Sequence, residues 1–98
     1  MHEPVAVYEF EPEDHPGAAT LAVLDGLVEP EFRAMLVRST GDTVTLQVVD
    51  GVPTVHSDGY FYVERRGTFR LERREEWPPV RDGEPRRYLL TLRAWPAR

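Results

Sequence analysis

Between Gly59 and Glu72 the chain reads Gly-Tyr-Phe-Tyr-Val-Glu-Arg-Arg-Gly-Thr-Phe-Arg-Leu-Glu. Apolar and polar residues alternate on both sides of Arg65-Arg66-Gly67, and a period of two belongs to strands with one buried face. A three-residue loop ending in Gly67, with the glycine left-handed, closes such a hairpin with a G1 bulge. The register then sets Glu64 opposite Thr68, Val63 opposite Phe69, Tyr62 opposite Arg70 and Phe61 opposite Leu71. Phe61, Val63, Phe69 and Leu71 share one face, suited to a core. Tyr60, Tyr62, Arg70 and Glu72 share the other. A chain containing this hairpin must build a sheet and cover its apolar side.

The flanking segments supply more strands. Val5 to Phe10 alternates, and Glu11-Pro-Glu-Asp-His-Pro-Gly17 after it is an exposed loop rich in acids and prolines. Phe32 to Arg38 pairs with Thr43 to Val49 around a loop at Ser39-Thr40-Gly41. That register puts Arg38 opposite Asp42, Leu36 opposite Val44 and Ala34 opposite Leu46, so apolar partners share a face and the closing pair has opposite charges. A short helix opening at Pro30 is the competing reading. Asp50-Gly51 suits a type I′ turn, and Val52 to His56, containing Pro53, suits an edge strand. Arg74 to Arg86, with Pro78-Pro79, Asp82-Gly83 and Pro85, reads as a long exposed loop from which Trp77 folds back over apolar surface. Arg87 to Trp95 is the last strand. Tyr88, Leu90, Leu92 and Ala94 occupy one face, and Leu89 and Trp95 the other, which implies a covering layer.

Residues 18–28 admit two readings. As a helix, Asp14 would cap it, Pro16 would sit early and Gly26 would end it. As a strand, Leu21 and Val23 point one way and Ala22 and Leu24 the other. The strand is preferred from its β neighbours. The expectation is therefore an all-β, mostly antiparallel single domain spanning 1–98. It is a small β-sandwich or barrel of six or seven strands with room for one short helix within 18–37.

Composition narrows the chemistry. The 98 residues, 41% of them hydrophobic, can bury one core. There is no cysteine, which removes disulfides and thiolate metal sites. The first residues lack a basic segment leading into an apolar one, and no apolar run approaches a membrane span, so a soluble, cytoplasmic protein without membrane attachment is expected. Residues 1–58 carry eleven acids against Arg33 and Arg38, while residues 59–98 carry six acids against ten arginines. Every basic residue is arginine, so Schiff-base chemistry and phosphate-loop lysines are absent. The acidic total of −5 argues against general nucleic-acid binding.

No local set of residues announces catalysis. His2, His15 and His56 lack metal-site spacing. His15 with Glu11, Glu13 and Asp14 reads more simply as a solvated acidic loop. His56-Ser57-Asp58 contains triad residue types, but consecutive residues in extended chain point in opposite directions, and a tight turn explains them. No glycine-rich phosphate loop occurs. Tyr60 and Tyr62, interleaved with Arg70, could stack nucleobases. The preferred reading is structural, a cation–π pair or coverage by a second layer, since a groove for a nucleic-acid backbone should be plainly basic.

Gly67-Thr-Phe-Arg-Leu71 and Tyr88-Leu-Leu-Thr-Leu-Arg-Ala-Trp-Pro96 resemble the closing strands of small all-β proteins of the competence-nuclease-inhibitor type and related bacterial immunity-like proteins. The resemblance covers the C-terminal third, with Arg93 and Ala94 as extra residues before the tryptophan. It implies a small inhibitor or immunity protein and transfers no functional residue.

The expected function is non-enzymatic binding of a basic protein partner, with no cofactor and no metal. Glu11, Glu13 and Asp14 are the candidate partner-facing charges, and Tyr60, Tyr62 and Arg70 the candidate aromatic–arginine surface. The alternatives are a small barrel enzyme or small-molecule binder using its interior, and a nucleic-acid module using Tyr60, Tyr62 and Arg70.

Overall fold

Among the described residues, six strands with inward-facing apolar residues close on one another and leave one helix outside. The structure is a computed structural model and describes residues 2–48, 59–84 and 86–95. Its elements are β1 (Glu3–Phe10), α1 (Pro16–Leu24), β2 (Phe32–Thr40), β3 (Thr43–Val48), β4 (Tyr60–Val63), β5 (Gly67–Trp77) and β6 (Arg87–Ala94). They form a closed barrel in the order β1-β2-β3-β6-β5-β4, every pair antiparallel. Val5 and Val7 of β1, Leu36 of β2, Leu46 of β3, Phe61 and Val63 of β4, Phe69 of β5 and Leu90 and Leu92 of β6 meet in its interior. A barrel this small is filled by its own side chains, and closure removes the exposed sheet edges that an open sheet would carry. No helix among the described residues is long and apolar enough to cross a membrane.

The central hairpin is present with the expected faces but a different register. Phe61 pairs with Phe69, Tyr62 with Thr68 and Val63 with Gly67. The loop is Glu64-Arg65-Arg66, one residue earlier than the alternation suggested. Glu64 is drawn out of the hairpin because its N–H donates to the Ala6 carbonyl at 3.0 Å, while Arg66 N–H closes the turn on the Val63 carbonyl at 2.9 Å. Moving a three-residue loop by one position shifts the pairing by two, and a shift of two preserves which face each side chain occupies. Gly67 is left-handed as expected, at φ 105°, and Arg65 also takes positive φ, 64°.

The β2–β3 hairpin also keeps its faces and changes its register. The turn tightens to Gly41-Asp42, with Gly41 at φ 55°, so that Thr40 pairs with Thr43 and Arg38 with Thr45. Arg38 therefore does not face Asp42. Continued regularly, this pairing would turn Leu36 and Ala34 outward. An irregularity between Leu36 and Arg38 prevents that and brings Leu36 opposite Leu46.

Two assignments are corrected. Residues 18–28 are not a strand, because Pro16 to Leu24 form α1. Its cap is His15 rather than Asp14, with Nδ1 accepting the Gly17 N–H at 3.1 Å. At the other end Gly26, at φ 70°, donates to Val23 at 3.1 Å, and Leu27 donates to Ala22 at 2.9 Å. These two bonds are those of a Schellman closure. The region 74–86 is only partly loop, since β5 continues to Trp77, which pairs with Arg87. The extension carries five consecutive charged residues, Glu72 to Glu76, and an irregularity shifts its register between Leu71 and Arg73. Trp77 remains 50% exposed and does not fold back. The Asp50-Gly51 turn, the Val52 to His56 strand and the turn at Ser57-Asp58 lie outside the described residues.

Two substitutions check this core. Phe69→Ala empties space in the filled interior and is expected to cost about 3–5 kcal/mol in urea unfolding. A loss below about 1 kcal/mol would mean that Phe69 is not a core residue. Gly67→Ala is expected to cost about 1 kcal/mol, from backbone conformation rather than crowding, because a Cβ there meets no atom within 4 Å. A neutral or stabilising result would place the turn elsewhere.

Candidate interaction surface

The outer face of β1 and β4 is aromatic, and most of it is covered. Tyr8 lies opposite Tyr62 and Phe10 opposite Tyr60 across the closing seam. Phe10 stacks on Tyr60 at 5.5 Å between ring centroids, and Tyr8 meets Tyr62 edge-on at 6.1 Å. Trp95, just past β6, covers Tyr60 at 4.7 Å. It is held by a two-way link to Thr68, whose hydroxyl donates to the Trp95 carbonyl and whose own carbonyl accepts the Trp95 N–H at 3.0 Å. Tyr60 is fully buried and Tyr62 is 8% exposed. The rings that would stack nucleobases are thus occupied by one another. Arg70 is exposed and lies over Trp95 at 5.1 Å, opposite Arg93 rather than Tyr62.

This cluster fixes the acidic loop. The Tyr60 hydroxyl donates to the Asp14 main-chain carbonyl at 2.8 Å. The loop is closed on itself by Asp14 N–H to the Glu11 carbonyl at 3.1 Å, and by Glu11 N–H to the Asp14 carboxylate at 3.0 Å. Burial, and secondly the Asp14 charge, raise the Tyr60 pKa above its ordinary 10.0. His15 then begins α1, so loop and helix leave the aromatic cluster as one exposed ledge. A depression of about 230 Å³ lies between them, lined by Phe10, Asp14, His15, Ala18, Ala19 and Ala22.

Five arginines, but none of the acids from Glu11 to Glu31, form ion pairs among the described residues. Arg66 pairs with Glu3 at 2.8 Å, Arg73 with Glu75 at 2.9 Å, Arg86 with Glu76 at 2.6 Å and Arg93 with Glu72 at 2.8 Å. Arg65 is within 4 Å of both Glu3 and Glu64. Arg74 lies over the Tyr88 ring at 4.9 Å. By contrast, Glu11, Glu13, Asp14, Asp25, Glu29 and Glu31 are all exposed, and none forms an ion pair among the described residues. Residues 8–32 contain no arginine or lysine at all. The sequence-predicted acids therefore sit together on the surface, whereas Tyr60 holds their loop through the Asp14 carbonyl, Tyr62 packs on Tyr8 and Arg70 lies over Trp95.

Sequence reasoning missed Trp95 as the cover of Tyr60, and it missed the leucines. Leu21, Leu24 and Leu27 are 61%, 67% and 76% exposed. The available signal was that Pro16 to Leu24 contains no charged residue. Read as a helix, it must turn apolar side chains outward. No group of histidine and acidic side chains suited to a metal ion occurs among the described residues. Comparison with known proteins finds no matching family model and no significant match among curated proteins or solved structures.

Tyr60→Phe is expected to cost about 1 kcal/mol through the lost bond to Asp14. The raised folded-state pKa gives a stabilisation that is complete below the unfolded value of 10.0 and lost as pH rises through the folded value. Urea unfolding from about pH 8 to about pH 11 should therefore show wild-type stability falling more steeply than that of the variant. Equal slopes would mean that Tyr60 titrates alike in both states.

Proposed function

We propose that this is a non-enzymatic binding protein, of inhibitor or immunity type, that engages a basic protein partner through its acidic loop-and-helix side. The observation that carries this reading is the difference in charge compensation. Arg65, Arg66 and Arg93 lie beside carboxylates, while none of the acids between Glu11 and Glu31 forms an ion pair among the described residues. Charge left uncompensated in the free protein projects a field that steers an oppositely charged partner. Burial of Tyr60 and Tyr62 favours this reading over nucleobase stacking, because stacking needs open ring faces. The filled interior likewise favours it over a ligand held inside the barrel.

Two triple variants test the proposal by stopped-flow association with a basic partner recovered from the host. Glu11→Gln, Glu13→Gln and Asp14→Asn together should slow association by about tenfold at low salt and flatten its salt dependence. Folding stability should change little. Arg65→Gln, Arg66→Gln and Arg70→Gln together should leave the rate near wild type. An unaffected on-rate in the acidic-loop variant contradicts the proposal.

A further inference from the structure

A helix on the outside of a globular domain ordinarily turns a polar face to water. α1 does not. Ala19 is its buried residue, and Pro16, Thr20, Ala22 and Val23 are half-buried on the same side. The opposite side carries Ala18, Leu21 and Leu24, with no charge among them. Leu21 and Leu24 are three positions apart and share a face. The closure at Gly26 fixes Leu27 immediately beyond. Three leucines, each more than half exposed, form an apolar strip of the kind that marks interaction surfaces.

The surroundings define what can cover the strip. Glu11, Glu13 and Asp14 precede the helix, and Asp25, Glu29 and Glu31 follow it, all without ion pairs among the described residues. A second copy docked symmetrically over α1 would set these six acids against six more. An anionic lipid surface would be repelled in the same way. A basic protein segment meets both requirements. Its apolar residues cover the leucines and its lysines or arginines reach the acids. The depression beside Ala18 and Ala22, with Asp14 at its margin, suits the aliphatic stem of such a cation.

We infer that the outward face of α1, with Leu21, Leu24 and Leu27, is the apolar anchor site for an amphipathic basic segment of a protein partner. This rests on the basic-partner reading above and adds that charge alone does not complete the site.

The test uses the full chain and two synthetic peptides of equal charge. One has leucine on one helical face and lysine on the other, and the second replaces its leucines by serine. Fluorescence anisotropy measures Kd for the wild type, for Leu21→Gln with Leu24→Gln, and for Leu27→Gln. Glutamine retains helix propensity, and Leu27 lies outside the helix, so the single variant still reports if the double variant unfolds. The wild type should bind the leucine–lysine peptide about tenfold tighter than the serine–lysine peptide. The double variant should lose that preference and keep its affinity for the serine–lysine peptide, and Leu27→Gln should reduce the preference in part. Absence of any preference in the wild type, or its survival in every variant, overturns the inference and leaves the basic-partner reading standing. Failure of both peptides to bind at low salt overturns both. A wild-type dimer in sedimentation equilibrium that the double variant abolishes would make a second copy the occupant and overturn the inference.

Discussion

The seam between β1 and β4 is the constraint on which the structure depends. It joins Val7 to Val63 and Phe10 to Tyr60, residues fifty or more positions apart in the chain. Closing so long a loop costs entropy that only burial can offset. The seam supplies burial on both sides. Inward, Val7, Phe61 and Val63 join the core. Outward, Phe10 and Trp95 cover Tyr60, and Tyr8 meets Tyr62. Every residue of β4 is buried, which four residues of Tyr-Phe-Tyr-Val can sustain and a half-polar strand could not.

The interaction surface is a consequence of that seam. Where β1 ends at Phe10 the chain must leave the barrel, and its first anchor is the Tyr60 hydroxyl on the Asp14 carbonyl. The acidic loop and α1 are thereby held on the outside, joined to the barrel through a small area around Ala19. A short helix beside a closed barrel cannot bury all of an uncharged surface. Its leucines are left facing water, framed by acids that form no ion pair among the described residues. Later in the chain Arg73, Arg86 and Arg93 are taken up by the β5 carboxylates Glu75, Glu76 and Glu72.

Much of the barrel was legible because strand alternation survives errors of register. Phe61, Val63, Phe69, Leu36, Leu46, Leu90 and Leu92 reach the core as their spacing indicated, although both hairpins pair differently from expectation. The displacements come with a main-chain bond between Glu64 and Ala6 and with the tighter turn at Gly41-Asp42, and the irregularity after Leu36 restores the faces. Residues 18–28 misled because a short apolar run carries no decisive period. The deciding signals were local, namely His15 capping Gly17 and Gly26 closing the end. Tyr60 and Tyr62 were placed on the correct face. Their burial involves Trp95 and Phe10 on Tyr60 and Tyr8 on Tyr62, which only the fold brings near. Exposure of the acids was evident from composition, whereas the leucines beside them became visible only with the helix.

The claim that the loop and helix form the partner-facing side is tested most directly by mapping the contact on the protein itself. A titration of the ¹⁵N-labelled chain with its basic partner, followed by amide chemical shifts, reports all non-proline positions at once. The account expects the largest shifts between Glu11 and Glu31, with Asp14, Leu21, Leu24 and Leu27 prominent and the Arg65 to Arg74 segment nearly unmoved. Shifts concentrated on that arginine segment or at the barrel ends, with residues 11–31 unchanged, would contradict it.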